Sequence, residues 1–179
     1  YRWVSADARK LSSGIINPNS FEDSTQLHAE VLSIIPYSLS ISHLDCESLN
    51  LVYGFDFTYR GNHNLLLAET LGLPPAFDEL SEIPGCQILG YEPSLQITLD
   101  GELRTQCRLS FETRTLPFSM RTGDYPEEQL SVYLALRRVD SLLIHEKFES
   151  EIERLAEIGR GILDSYVVGN ILRPLQKAI

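Results

Sequence analysis

A regular alternation over residues 48–59 constrains the fold of this chain more than any other feature. Odd-numbered positions carry leucine, tyrosine or phenylalanine, and the positions between them are mostly small or polar. Successive side chains of a β-strand point to opposite faces, whereas a helix would scatter these aromatic rings around its circumference. The pattern therefore predicts a strand with one buried face and one face in water.

Shorter alternations predict further strands on both sides of this one. They cover residues 38–44, 94–99, 103–114 and 129–137. Because the predicted strands are each apolar on one face only, we expect an antiparallel sheet of about five strands in a meander-like order.

An Asp-Gly pair links the strands 94–99 and 103–114. A two-residue turn here would pair Leu99 with Glu102, so that the apolar face of one strand would continue as the charged face of the next. A three-residue loop over 99–101 keeps the apolar faces together. It predicts that Gly101 adopts the left-handed conformation and that Thr98 lies opposite Glu102.

Helical spacing of apolar residues and suitable end residues predict three helices before the last three strands. They cover residues 21–35, 63–71 and 75–82. Asp23 or Ser24 is a candidate cap for the first helix, and Pro36 is expected to end it. Asn62 and Gly72 bracket the second helix as N-cap and C-terminal glycine.

The C-terminal stretch 146–173 predicts a long amphipathic helix that Pro174 would stop or kink. Its glycines either permit close packing on the sheet or mark a bend: Gly159, Gly161 and Gly169. The expected fold is α+β, with an antiparallel sheet covered on one face by this helix and by shorter helices. Its element order is similar to that of helix-grip folds. We expect residues 1–20 to be an extension or linker, and 21–179 to be one domain.

Charge and hydropathy exclude several classes of partner. The 179 residues have a formal net charge of −10, and no run of lysine or arginine is longer than two residues. Nucleic-acid binding requires a basic surface that displaces counterions, so we expect neither a nucleic-acid partner nor an anionic membrane. The apolar runs are also far shorter than the roughly 20 residues of a membrane-spanning helix.

Three widely spaced cysteines, Cys46, Cys86 and Cys107, match neither a disulfide framework nor a zinc motif. We therefore expect free thiols, a reducing compartment and a cytoplasmic location. The sequence starts at Tyr1 without the pattern of a signal peptide, so we expect an excised domain or a preceding segment.

Two groups of residues are candidates for binding a small molecule. Aromatic side chains on the buried strand faces and the long helix would line an apolar pocket or form ordinary core: Tyr53, Phe55, Phe57, Tyr59, Phe111 and Tyr166. Charged side chains on one strand face would bind a carboxylate or phosphate, or form a solvated face with ion pairs: Arg104, Arg108, Glu112 and Arg114.

Histidines and one long loop supply the remaining candidates. On an extended chain His43, Asp45 and Glu47 would point the same way and could bind a divalent metal, although a polar turn between two strands is the more common explanation of such residues. His63 at a helix start suits neutral-imidazole chemistry or a capping role. His28 and His145 are predicted to be isolated surface or core-edge histidines. The loop 116–128 is long enough for a lid or binding edge, with candidates Arg121, Asp124 and Tyr125.

No motif for a phosphate loop, a dinucleotide site, a serine hydrolase or a zinc protease occurs in the sequence. We therefore expect no cofactor and favour a non-enzymatic interaction domain with an acidic surface, acting as an adaptor or a homodimer. Its partner would be another protein or a second copy. The alternatives are a carrier or sensor of an apolar small molecule and a metal-dependent hydrolase.

Overall fold

A computed structural model describes residues 1–143 and 146–179 of the chain. The fold is of the α+β class, as predicted, with two antiparallel sheets and a long C-terminal helical segment. His145 lies outside the described residues, so its predicted position stays a prediction.

The elements follow one another in this order. A hairpin of β1 (Arg2–Ala6) and β2 (Leu11–Ile15) precedes helix α1 (Phe21–Ser38), a short 3₁₀ turn (His43–Asp45), strand β3 (Ser48–Tyr59) and helices α2 (His63–Leu71) and α3 (Pro75–Ser81). There follow β4 (Ser94–Thr98), β5 (Thr105–Glu112), α4 (Pro117–Thr122), β6 (Glu128–Val139), α5 (Phe148–Ile162), a π-helix (Leu163–Leu172) and α6 (Arg173–Ala178). The described residues form a main sheet in the order β3-β6-β5-β4.

The predicted strand over 38–44 is wrong. Helix α1 does not end at Pro36 but continues through Ser38, and the N–H of Leu39 still donates to the carbonyl of Ile35. The helix is capped by Ser20, whose hydroxyl accepts the N–H of Asp23 at 3.1 Å. The cap therefore lies earlier than predicted, and the residues after the helix form a turn instead of a fifth main-sheet strand.

The alternation predicted for β3 is confirmed, because its exposed and less exposed residues alternate from Asn50 to Tyr59. The turn between β4 and β5 differs from the prediction. The N–H of Leu99 donates to the carbonyl of Thr105 at 2.8 Å, so odd-numbered residues face each other across a longer loop. Thr98 is therefore not opposite Glu102. Odd-numbered residues nevertheless pair with odd-numbered ones, as the three-residue loop also required.

The carboxylate of Asp100 organises this longer loop. It accepts backbone N–H groups from Glu102 and Arg104 at 3.0 Å and from Thr105 at 2.6 Å. The side-chain hydrogen bond of Thr105 contributes most to lowering the pKa of Asp100 to about 2, and the backbone N–H groups of Arg104, Thr105 and Glu102 act in the same direction. Leu103, with φ of 62°, takes the left-handed conformation that was predicted for Gly101.

The chain divides into two compact units. The first comprises residues 1–51, 98–106 and 136–160, and the second comprises 52–97, 107–135 and 161–179. The predicted domain boundary near residue 20 stays a prediction.

In the first unit, a buried ion-pair network joins α5 to strand residues. Glu151 lies 3.6 Å from the Nε of Arg138, and it accepts two hydrogen bonds from Arg154, at 2.9 and 2.6 Å. Arg154 also donates to the hydroxyl of Thr105 at 3.0 Å. Burial of Arg138 and Glu151 is tolerated because each charge faces an opposite one.

In the second unit, one face of the sheet packs against α2 and the end of the C-terminal helical segment. The centre of this core consists of buried aliphatic and aromatic side chains: Leu66, Leu67, Phe111, Leu130, Val132 and Leu175. The sheet therefore has helices on its apolar face, as predicted from the single-sided alternation.

The predicted C-terminal helix is present and continues past Pro174 to Ala178. Over 163–172 it is a π-helix, in which N–H groups reach back five residues. Pro174, which has no N–H to donate, lies where the π-helix ends and α6 begins within one continuous helical segment. The wider π turns place Leu163 and Val167 on the buried side, and Tyr166 is 65% exposed.

Candidate functional site

The second unit contains a groove that is a candidate binding site. It runs between α2 and α3, the segment 86–88 and the region of α4, and its volume is about 550 Å³. That volume lies within the range of ligand-binding clefts. Its apolar lining comes from Leu65, Ala68, Leu73, Ile88, Met120 and Tyr125.

Helix α3, which forms one wall of the groove, buries none of its residues. Phe77 is 56% exposed and Leu80 is 57% exposed, and the two are separated by one helical turn. Ile83, just beyond the helix, is 54% exposed. We call these three exposed apolar side chains the α3 face.

The charged residues of the groove are acidic. Glu69 on α2 and Asp78 on α3 line it, and no lysine or arginine is found among its described lining residues. The sequence from residue 61 to residue 103 contains no lysine or arginine. Its acidic residues are Glu69, Asp78, Glu79, Glu82, Glu92, Asp100 and Glu102.

Helix α2 is held in place by a buried polar network. Asn62 caps its first turn, as predicted, and accepts the N–H groups of Asn64 and Leu65. The amide of Asn64 donates to the carbonyl of Leu89 at 3.2 Å and accepts the N–H of Tyr91 at 2.9 Å. These bonds fix the segment after α3 against α2 and thereby hold the groove open between defined walls.

His63 belongs to the same network and has both ring nitrogens engaged. Its Nε2 donates to the carbonyl of Tyr59 at 3.3 Å, and its Nδ1 accepts the N–H of Arg114 at 3.3 Å. Burial lowers its pKa below the ordinary value of 6.5, which keeps the ring neutral. With 1% exposure, His63 has a positioning role in the fold and is not presented to a substrate.

The six residues predicted to line an apolar pocket are not brought together around the groove. Phe55, Phe57 and Tyr59 pack against the buried core that contains Phe111. Tyr53 is half-buried on β3, and Tyr166 is exposed.

The four residues predicted to share one polar strand face do not all lie together in the structure. Arg108 donates to the hydroxyl of Ser94 at 3.0 Å, and Arg114 lies 3.5 Å from Glu112. The hydroxyl of Tyr133 donates to Glu112 at 3.2 Å. These side chains satisfy one another across neighbouring strands of the second unit, as a solvated sheet face does.

Arg104 lies apart from that face, because β5 begins at Thr105. In the first unit it forms ion pairs with Asp140 at 3.6 Å and Glu102 at 3.8 Å. Both carboxylate partners are well exposed, so these pairs contribute little to stability.

The loop 116–128 contains a short helix, α4, that the sequence analysis did not predict. Gly123 ends this helix in the left-handed conformation, with φ of 72°. Tyr125 lines the groove, and its carbonyl accepts a hydrogen bond from Arg60 at 3.1 Å. Arg121 lies over the ring of Phe118 at 5.7 Å, whereas Asp124 is exposed.

The candidate metal ligands lie on a turn and not on an extended chain. His43 stacks on Phe148 with a ring separation of 5.0 Å, and Asp45 accepts the N–H of Ser42 at 2.7 Å. Glu47 follows this turn just before β3. In residues 1–143 and 146–179, no three histidine, cysteine or acidic side chains meet in a way that would hold a metal ion.

Comparisons with protein-family models, curated proteins and solved structures find no match to this chain. Among the described residues, no helix has the length and apolar character needed to cross a membrane.

Most of the groove was not predicted from the sequence. Tyr125 was a candidate and Met120 lies in the loop predicted as a lid or binding edge, whereas Glu69 and Asp78 were not considered. The neighbouring α3 face had a sequence signal, because Phe77, Leu80 and Ile83 recur every three residues within a segment that lacks lysine and arginine. The walls come from separate parts of the chain, however, and their proximity depends on tertiary structure.

Proposed function

We propose that this chain is a protein-interaction domain of the adaptor kind, with the groove and the α3 face as its docking surface. The observation that carries the proposal is that α3 buries none of its residues while Phe77 and Leu80 stay exposed. A seven-residue helix is not stable by itself in water. Covering its apolar side chains with a partner lowers the free energy, because apolar surface is removed from water.

The alternatives draw less support from the geometry. A carrier with a pocket beneath the C-terminal helical segment would need space where Phe111, Leu130 and Leu175 are packed together. A hydrolase would need His43 and Asp45 to be available, but these residues are engaged in a ring stack and a turn.

A paired substitution tests the adaptor function. Phe77→Ser with Leu80→Ser removes the apolar side chains of the α3 face without changing charge. Ile34→Ser with Tyr37→Ser is the matched control, because these residues are 55% and 89% exposed at the same spacing on α1. We expect a partner captured from source-cell extract by the unmodified chain to be retained by the control and lost by the α3 variant.

The partner is then purified, and its binding is measured by calorimetry. Losing two exposed anchor residues is expected to weaken binding by at least about tenfold, since each hot-spot side chain is worth more than about 1 kcal/mol. Equal binding by both variants would contradict the proposed docking surface.

A homodimer is the second candidate, and strand β4 favours it. This strand lies at the edge of the main sheet, and all its residues are exposed. Leu95 is 63% exposed and Ile97 is 46% exposed on the same strand face. The strand also lacks the charged residues and proline that usually protect an edge from pairing with another chain.

Light scattering after size exclusion distinguishes this candidate. If β4 pairs with β4 of a second copy, Ile97→Lys should convert a dimer into a monomer, because a charge would lie in the paired edge. Val52→Lys is the control, since Val52 is 55% exposed on β3, the opposite edge strand. A monomeric unmodified chain at about 100 μM, far above the usual range of specific dimer affinities, would rule out the homodimer.

A further inference from the structure

We propose that the docking surface binds a basic amphipathic segment of another protein, with apolar side chains in the groove and lysine or arginine at its rim. This inference rests on the proposed function and adds the chemistry of the partner. The groove combines an apolar lining with two charged lining residues, Glu69 and Asp78, which are both carboxylates.

The distribution of charge extends beyond those two residues. Glu79 and Glu82 are exposed on or next to α3, beside the exposed Phe77 and Leu80. No lysine or arginine occurs from 61 to 103, and the guanidinium of Arg60, just before this range, is engaged by the carbonyl of Tyr125. A partner with positive charges flanking its apolar residues would be attracted by this field and oriented by it.

The same charges argue against a second copy at this surface. Two copies meeting through the α3 face would bring Asp78, Glu79 and Glu82 of one chain close to the same residues of the other. Like charges placed together in an interface oppose association. An acidic or phosphorylated segment is disfavoured for the same reason, so the basic amphipathic segment is the occupant that fits both properties.

The open form of the surface favours a segment of protein chain. Its walls are the exposed sides of α2 and α3, and Leu65 is 44% exposed at the rim. A helix that lays an apolar face into a groove uses side chains one turn apart. The groove lining itself offers Leu65, Leu73 and Ile88 to such side chains, and Phe77 and Leu80 add exposed apolar surface elsewhere on α3.

The test uses the full 179-residue chain and two fluorescent peptides of equal length. One is an amphipathic helix of leucine and lysine, and the other has glutamate in place of every lysine. We expect anisotropy titrations at low salt to show binding of the lysine peptide alone. Raising sodium chloride from about 0.05 to about 0.5 M should weaken this binding strongly. The Debye length falls below about 10 Å above 0.1 M salt, so the attraction between exposed charges is screened.

Substitutions then separate the local charges from the overall charge of −10. Glu69→Gln with Asp78→Asn should weaken binding of the lysine peptide about fivefold, as expected for two exposed ion pairs that together contribute about 1 kcal/mol. Glu153→Gln with Glu157→Gln is the control, because it removes the same charge from exposed positions on α5. Its effect should stay below about twofold. Equal losses in both variants would overturn the proposal in favour of nonspecific attraction.

The thiol of Cys86 provides an independent readout of position. Cys86 is exposed and lines the groove, whereas Cys46 is half-buried and Cys107 is buried. Bound lysine peptide should slow alkylation of Cys86 by iodoacetamide and leave the other two rates unchanged. Unprotected Cys86 at saturating peptide would place the peptide elsewhere and overturn the inference.

The experiment also distinguishes failure of this inference from failure of the proposed function. If the cellular partner depends on Phe77 and Leu80 but binds equally well after Glu69→Gln with Asp78→Asn, the docking function stands and the charge inference fails. If the partner and the lysine peptide are both unaffected by the α3 variant, the proposed docking surface itself is wrong.

Discussion

His63 illustrates how a single residue acquires its role from its surroundings. As a histidine next to a helix cap, it was a candidate for neutral-imidazole chemistry, and burial does keep its pKa low. Both nitrogens are nevertheless occupied by backbone groups, those of Tyr59 and Arg114. The neutral ring therefore stabilises the junction between β3, α2 and the end of β5 within the second unit.

The lowered pKa of His63 predicts that stability falls as the pH decreases below about 6.5. In the window between that value and the lower pKa of the folded state, the unfolded chain binds the proton more readily, so protonation favours unfolding. His28, whose pKa is also lowered by burial, acts in the same direction.

Urea denaturation at pH 7.5, 6.5 and 5.5 measures this effect, and His63→Gln isolates the contribution of one ring. We expect a smaller loss of stability on acidification in the variant than in the unmodified chain. An identical pH dependence in the two proteins would show that His63 does not contribute.

At the scale of elements, α2 and α3 show opposite ways of forming a short helix. Helix α2 has a side-chain cap at Asn62, a C-terminal Gly72 and several buried residues. Helix α3 begins with Pro75, has no side-chain cap and buries nothing. Local sequence predicted both helices, and their difference in burial is what separates a structural helix from a candidate docking helix.

The C-terminal helical segment yields a prediction about its glycines. A methyl group added at Gly161 would meet nothing within 4 Å, so this glycine does not serve close packing. We expect Gly161→Ala to stabilise the protein by about 1 kcal/mol, because alanine loses less backbone entropy in a helix. Thermal unfolding measures the change.

Gly61→Ala is a useful contrast in the same assay. Its added methyl group would lie 2.6 Å from the ring of Tyr59, which would have to move. This variant should therefore be destabilised. A stability decrease at Gly161 as well would mean that the helix needs glycine for a reason other than space.

At the scale of the whole molecule, the balance between exposed apolar groups and negative charge controls association. The net charge is −10 at pH 7, and the isoelectric point is near 4.8. Mutual repulsion between copies declines as carboxylates are protonated, while the exposed apolar side chains remain. Surfaces such as the α3 face then become free to associate nonspecifically.

We therefore expect self-association to increase as the pH is lowered from 7.5 toward 5. Dynamic light scattering at constant ionic strength measures it, with the Phe77→Ser, Leu80→Ser variant as the comparison. That variant should associate less at pH 5 than the unmodified chain. Equal association would indicate that the α3 face does not contribute.

The sequence by itself determined the long elements, because alternation and helical spacing report which side of an element is buried. Strand β3, helix α2 between Asn62 and Gly72, and the C-terminal helix could all be predicted from local pattern. The pairing of odd-numbered with odd-numbered residues across the β4–β5 turn was also predictable, since apolar residues of neighbouring strands share a face.

Only the tertiary structure decided the loop at Asp100, the turn at His43 and the groove. Asp100 selects a longer loop through hydrogen bonds to residues beyond it, and the carboxylate of Asp45 ties the turn to the Ser42 N–H. The groove combines α2 and α3, which follow each other in the chain, with the region around Met120 and Tyr125, which is distant in the sequence. Whether an apolar side chain such as Phe77 is core or docking surface depends on what packs against it, and local periodicity carries no information about that.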